Sequence, residues 1–339
     1  MTRPETTSRY PRVRVRREVA EAADTTDRTP PNFRVRPVHL SRWGRLLDTL
    51  RWLRYRVHCA RYGRRYPELV GDGFSHVTGE KGLSLDGFRR IYYRKRLGRT
   101  IRGKTVLVLG CGYGDELLGW IPHRPKCIIG VDISNYGRAW DRIARTAGRA
   151  GVRTRFVQYD LTEPQWSFVE PDSVDIASAY AVLEHVVDLE SFLRACRESL
   201  RPGGYFEAAY GPLWYGPNGD HLFPLSDEEI YNHLLLDDAS YDRFVERTRD
   251  YWEHHETGME GPFLLENGLF SFLKPAEYLD LFRRTGYSVL YSHAALSQRA
   301  AGFRQRHPDE WRRMKGQHGL RDVDLLATGC TTLCVADKG

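Results

Sequence analysis

Three glycines stand within five positions, Gly110, Gly112 and Gly114, in the stretch "VLVLGCGYGDE". They close an apolar run and precede two acids. Glycine allows the chain to turn with φ > 0 and leaves no Cβ in the way of a ligand. A helix starting there presents unpaired N–H groups and a positive dipole end, which suits a nucleotide. The spacing is G-x-G-x-G rather than G-x-G-x-x-G, and a tight strand–helix turn with no ligand would also account for it. Asp132 follows about twenty residues later, where an acid can accept from both ribose hydroxyls. Asp160, in "QYDL", falls at a strand end, the edge at which open α/β sheets bind ligands. His185 in "LEHV" and His221 in "GPLWYGPNGDHLFPL" are of the residue type whose ordinary pKa suits proton transfer near neutral pH.

These residues need a frame, and the pattern from Thr105 onward supplies one. Strand-like runs cover 105–110, 126–134, 152–161, 173–180 and 205–210, with helical runs over 116–121, 135–151 and 188–200 between them and a turn at 201–204. Such alternation calls for a parallel sheet with helices on both faces. Between residues 211 and 272 the rhythm is lost in favour of aromatic and polar residues, as in a cap insertion after the fifth strand. A helix over 274–286 and strands over 287–296 and 329–338 complete an expected α/β, Rossmann-like sheet of seven mostly parallel strands. Residues 1–37 are expected to be a disordered basic tail. Residues 38–100 are expected to be a helical extension, with a helix from Arg42, a loop marked by glycines 71, 73, 79 and 82, and a second helix over 85–99. The catalytic domain then spans 101–339.

The ordered series of strand-end motifs resembles the class I S-adenosylmethionine-dependent methyltransferases of the small-molecule type, from about Ile101 to the C-terminus. Four separated motifs fall in order at the right strand ends, which makes the resemblance specific. It implies S-adenosylmethionine as cofactor and S-adenosylhomocysteine as product. It places Gly110, Gly112 and Gly114 under the methionine moiety, Asp132 at the ribose, Asp160 and Leu161 at the adenine, and Tyr180 beside the sulfonium, with Cys111 and Ile133 also in the cofactor site. The family commonly carries an acid two residues before the first glycine, where this chain has Val108. Asp115 or Glu116 compensates by holding the cofactor ammonium, or the two merely stabilise a helix N-terminus by ~0.3–1 kcal/mol.

Methyl transfer to a hydroxyl is an in-line displacement that needs an aligned nucleophile and a proton acceptor. His221 is the candidate base, with Asp220 to orient it and Trp214 and Tyr215 as a substrate wall. His185 is a second catalytic candidate or a structural part of the site. His254 and His255 are adjacent and would point apart on a helix, so no metal is invoked. The expected acceptor is a small molecule such as a natural product or sugar-like metabolite. Nitrogen or carbon acceptors, and chemistry other than methylation, remain alternatives.

The net charge of +7 is unevenly distributed: residues 1–104 carry 26 Lys/Arg against 10 Asp/Glu, and the remainder carries 25 against 34. The basic part could mark an RNA methyltransferase, but no RNA-binding module is recognisable and the fourth strand does not end in the Asn/Asp-Pro-Pro-aromatic motif. The Trp/Arg helix near residue 50 is either a membrane-surface or dimer element, or a helix packed on the catalytic domain with a solvated Arg face. No apolar run approaches the ~20 residues that cross a bilayer, and no signal peptide is visible, so a cytoplasmic protein is expected. The six scattered cysteines are expected to be reduced and inert.

Overall fold

The computed structural model describes residues 26–31, 33–35, 42–79, 101–163, 165–222, 226–253, 264–265 and 267–337. Helices α1 (Arg42–Arg65) and α2 (Pro67–Gly71) lead into strand β1 (His76–Gly79). The alternating core follows: β2 (Thr105–Leu109), α3 (Asp115–Trp120), β3 (Cys127–Asp132), α4 (Gly137–Arg149), β4 (Arg153–Gln158), β5 (Val174–Tyr180), α5 (Leu189–Ser199) and β6 (Leu200–Tyr210). The insertion contributes α6 (Asn232–Leu235) and α7 (Asp238–Glu253). The chain closes with α8 (Pro275–Arg284), β7 (Tyr287–Leu296), α9 (Gln298–Arg306), α10 (Pro308–His318), α11 (Asp322–Leu326) and β8 (Ala327–Ala336).

All eight strands join one sheet in the order β1–β7–β8–β6–β5–β2–β3–β4. Strand β8 runs antiparallel to β6 and β7, and the other pairs are parallel. The central strand "TVLVL" shows why the sheet must be covered on both sides. Leu107 and Leu109 enter one core while Val106 and Val108 enter the other. Truncating a fully buried residue such as Leu107 to Ala would cost roughly 2–5 kcal/mol. At the edge, β4 keeps Arg153 and Arg155 exposed, which discourages further strand pairing.

The sheet has one strand more than expected. Residues 76–79 lie in the stretch read as a glycine loop, yet they pair in parallel with β7, from His76 opposite His293 to Gly79 opposite Leu296. Gly79 is there for close approach: a Cβ would stand 2.7 Å from the Tyr62 hydroxyl of α1. The expected turn at 201–204 is taken into β6, whose register with β5 shifts between Val174 and Ile176. Three helices, α9 to α11, fill the chain between the last two strands, a segment for which the sequence pattern carries no expectation. The proposed helix over 85–99 lies outside the described residues.

Part of the tail expected to be disordered is docked. Helix α4 has no side-chain cap from its own N-cap residue, Tyr136. Asp27 accepts from Arg138 N at 3.0 Å and Thr29 Oγ1 accepts from Ala139 N at 3.0 Å, so residues remote in sequence satisfy two of the orphan donors of that helix end. Arg28 N donates to Asn135 O at 2.8 Å, and Phe33 is buried in the α3/α4 core. Burial works against the Asp27 charge, but bonds from Thr29 and Arg138 prevail and hold its pKa at about 2.

Candidate active site

The glycine turn joins β2 to α3. Gly110 has φ +63°, and a Cβ there would stand 2.3 Å from Val182 Cγ2, so packing demands glycine. Gly112 has φ +47° and nothing within 4 Å of the Cβ position, which leaves open space directly over its backbone. Its N–H donates to Asp132 Oδ2 at 2.7 Å, and its carbonyl accepts from Trp140 Nε1 at 2.8 Å. Gly114 is the N-cap of α3, and Cys111 is buried beneath the turn.

Asp132 ends β3. Its Oδ1 accepts from Ser134 N at 2.9 Å, so each carboxylate oxygen already receives one backbone N–H and keeps a further lone pair. Burial pushes its pKa up, against those backbone bonds. Ile133, beside it, accepts from Gln158 Nε2 at 3.1 Å. Asp160 is held by Thr162, through the backbone N at 2.9 Å and the hydroxyl at 2.7 Å. Leu161 turns its side chain into the main core. Tyr180, the last residue of β5, is 52% exposed at the strand's C-terminal end.

The two acids after the glycines separate. Asp115 is exposed at the first turn of α3. Glu116 instead accepts a hydrogen bond from Ser178 Oγ on β5. Ser178 is the register partner of Val108, so the Glu116 carboxylate lies beside the position where the family commonly has its acid.

The densest chemistry follows β5 and β6. His185 and His221 meet edge to face, with ring centroids 4.6 Å apart. His185 Nδ1 lies 2.9 Å from Leu269 O, and His221 Nε2 lies 3.0 Å from Pro212 O. A carbonyl can only accept, so both nitrogens carry the proton, leaving His185 Nε2 and His221 Nδ1 as lone pairs. Burial, then the neighbouring His221, pushes the His185 pKa down to about 3. Burial also lowers that of His221, against the bond to Pro212 and the charge of Asp220. Both rings are therefore neutral at ordinary pH.

Glu184, which the sequence pattern does not single out, completes the group. It is buried, accepts from Gly211 N at 2.7 Å through Oε1, and leaves Oε2 without a hydrogen-bond partner among the described residues. Burial pushes its pKa up to about 8 against the Gly211 bond, so it carries a proton near neutrality. One donor atom from each of Glu184, His185 and His221 lies within 4.8 Å of the others. Only its adjacency to His185 could have drawn notice to it. Its backbone carbonyl accepts from Ser271 N at 2.9 Å, which with the His185–Leu269 bond clasps the turn after β5 to the end of the insertion.

Two expected roles are not met by this geometry. Asp220 does not orient His221. It accepts from Tyr241 OH at 2.9 Å and Leu222 N at 3.2 Å, and its Oδ2 lies 3.8 Å from His233 Nδ1. His221 has a left-handed backbone, φ 60°, and the Pro212 carbonyl holds its ring instead. Tyr215 does not form a wall with Trp214; it points towards His318, 6.2 Å away between ring centroids. Trp214, Phe270 and Phe272 instead form an aromatic cluster beside the two histidines. Phe270 stands 5.6 Å from both histidine rings and 4.8 Å from Trp214, which is 4.7 Å from Phe272. His254 and His255 lie outside the described residues.

The model of the methyltransferase domain family matches residues 89–292, more than half of the chain. The chain belongs to this family. A probable S-adenosylmethionine-dependent methyltransferase of Mycolicibacterium smegmatis is 33% identical over 141 residues, covering 38% of this chain and 49% of that protein. A ubiquinone biosynthesis O-methyltransferase of Pseudomonas paraeruginosa is 33% identical over 104 residues, covering 31% and 43%. The chain thus matches less than half the length of these curated relatives. An S-adenosylmethionine-dependent methyltransferase structure from Mesorhizobium loti shares 16% identity, with a TM-score of 0.43, over 74% of this chain and all of that one. S-adenosylmethionine is the methyl donor of the class I methyltransferase domains. The open flank of Gly112 and the carboxylate acceptors of Asp132 and Glu116 fit its uncrowded approach to the backbone, its ribose hydroxyls and its ammonium.

Proposed function

We propose that the protein transfers a methyl group from S-adenosylmethionine to a hydroxyl of a small organic acceptor, and that His221 takes the hydroxyl proton. The observation that carries this reading is the pair of half-buried, neutral imidazoles whose tautomers are set by two backbone carbonyls. When bound, S-adenosylmethionine supplies a methyl group on a positively charged sulfur, open to in-line displacement.

The protein's own residues do the rest. Asp132 would accept from the ribose hydroxyls, Asp160 and Leu161 would flank the adenine, and Glu116 would take the ammonium, standing in for the acid that Val108 replaces. Trp214, Phe270 and Phe272 would pack the acceptor and keep water from the proton-transfer step. His221 Nδ1 would receive the proton as the oxygen attacks. His185, edge-on to it, would keep that ring in place. The O-methyltransferase name of the Pseudomonas relative also favours oxygen over nitrogen as acceptor atom.

Kinetics of His221→Gln test the assignment. Loss of a general base lowers kcat by roughly 10²–10⁴-fold, while S-adenosylmethionine affinity stays near normal. An unchanged kcat would remove His221 from the chemistry.

A further inference from the structure

Helix α1 has two faces with different tasks. Its inner face carries Tyr55, Cys59 and Tyr62. Tyr55 OH lies 2.5 Å from Tyr291 OH of β7, and the Tyr55 ring stands 5.7 Å from His76 of β1. The opposite face packs on no described element. There Leu50, Leu53 and Val57, spaced i, i+3 and i+7, are 57%, 57% and 69% exposed. That spacing puts them in one stripe along the helix. Arg54, Arg61 and Arg64 are exposed beside the stripe, with Arg56 and Arg65 close by. The 24-residue helix contains a single acid, Asp48.

Three exposed aliphatic side chains with exposed arginines, and no described acid, beside them select their partner by charge. A second copy of the chain, docked by a two-fold axis, would set arginines against arginines. A surface that is apolar inside and anionic at its border matches instead. Guanidinium groups bind phosphate bidentately, and long arginine stems let the charge reach headgroups while leucine and valine enter the acyl boundary. No helix among the described residues is long and apolar enough to cross a membrane, so α1 would lie on the surface. We propose that the outer face of α1 docks the protein on an anionic lipid surface through Leu50, Leu53 and Val57, with Arg54, Arg61 and Arg64 on the lipid phosphates.

The test is co-sedimentation of the full chain with phosphatidylcholine vesicles, with and without phosphatidylglycerol. Binding is expected only with phosphatidylglycerol and weakens as salt is raised. Leu53→Glu with Val57→Glu is expected to reduce binding at least tenfold, and Arg61→Ala with Arg64→Ala to reduce it several-fold. Melting temperatures should stay near wild type, because these side chains are exposed; a variant that melts early is replaced by the arginine pair alone. Absence of binding to the anionic vesicles, or binding that both variants leave intact, overturns the proposal. So does a concentration-dependent dimer that the same substitutions abolish, which would assign the face to a second copy. The readout involves no methyl transfer, so it stands or falls apart from the catalytic reading.

Discussion

His185 and His221 come from different loops, after β5 and after β6, and meet at 4.6 Å between ring centroids with their N–H groups directed to Leu269 O and Pro212 O. Each imidazole is thereby fixed in one tautomer, and buried Glu184 closes the group. Several consequences of that arrangement can be measured.

Stability should depend on pH in two opposite senses. The Glu184 pKa rises from 4.5 to about 8 on folding, so its contribution is complete below about 4.5 and is lost as pH rises towards 8. The His185 pKa falls from 6.5 to about 3, so its contribution is complete above 6.5 and is lost as pH falls towards 3. Thermal midpoints against pH should show both limbs, with Glu184→Gln flattening the alkaline one. An alkaline limb of unchanged slope in that variant would contradict the buried, protonated Glu184.

The pH dependence of kcat/KM gives a separate reading of the base. Burial lowers the His221 pKa, so the acid limb should lie below the ordinary histidine value of 6.5. A limb above 6.5 would point to another group.

Asp132→Ala should weaken S-adenosylmethionine binding by roughly 1–3 kcal/mol, since charged hydrogen bonds are lost and Gly112 N loses its acceptor. Calorimetry on the folded variant measures it. Unchanged affinity would remove the ribose role of Asp132.

How far the site can be read from the sequence follows from the range of the interactions. The glycine turn and Asp132 are legible because unbroken apolar runs mark the strands at whose ends they fall, while the two histidines stand out by residue type in the loops after β5 and β6. Glu184 is not, because its burial depends on Gly211 and Ser271 closing over it from other elements. Asp220 misleads because adjacency in sequence does not give a shared direction where the backbone of His221 is left-handed. Strand β1 is only four residues long and includes His76 and Thr78, so nothing in its pattern separates it from a loop. Asp27 and Thr29 cap a helix 111 and 110 residues away, beyond any local signal.

That docking carries a prediction of its own. Asp27→Ala should cost about 0.5–2 kcal/mol, the range for losing a helix cap, and speed tryptic cleavage at Arg28 and Arg34. Urea denaturation and limited proteolysis measure both. Unaltered stability and cleavage would mean that residues 26–35 do not hold α4 in solution.

The most direct test of the central claim supplies the protein with S-adenosylmethionine carrying a labelled methyl group and a mixture of small hydroxylated metabolites, and follows the label by mass spectrometry. The account predicts a labelled methyl ether formed by the wild type and reduced roughly 10²–10⁴-fold in rate by His221→Gln. Label on an amine, a carbon or a nucleic acid, or a methyl ether formed at the same rate by His221→Gln, would contradict it.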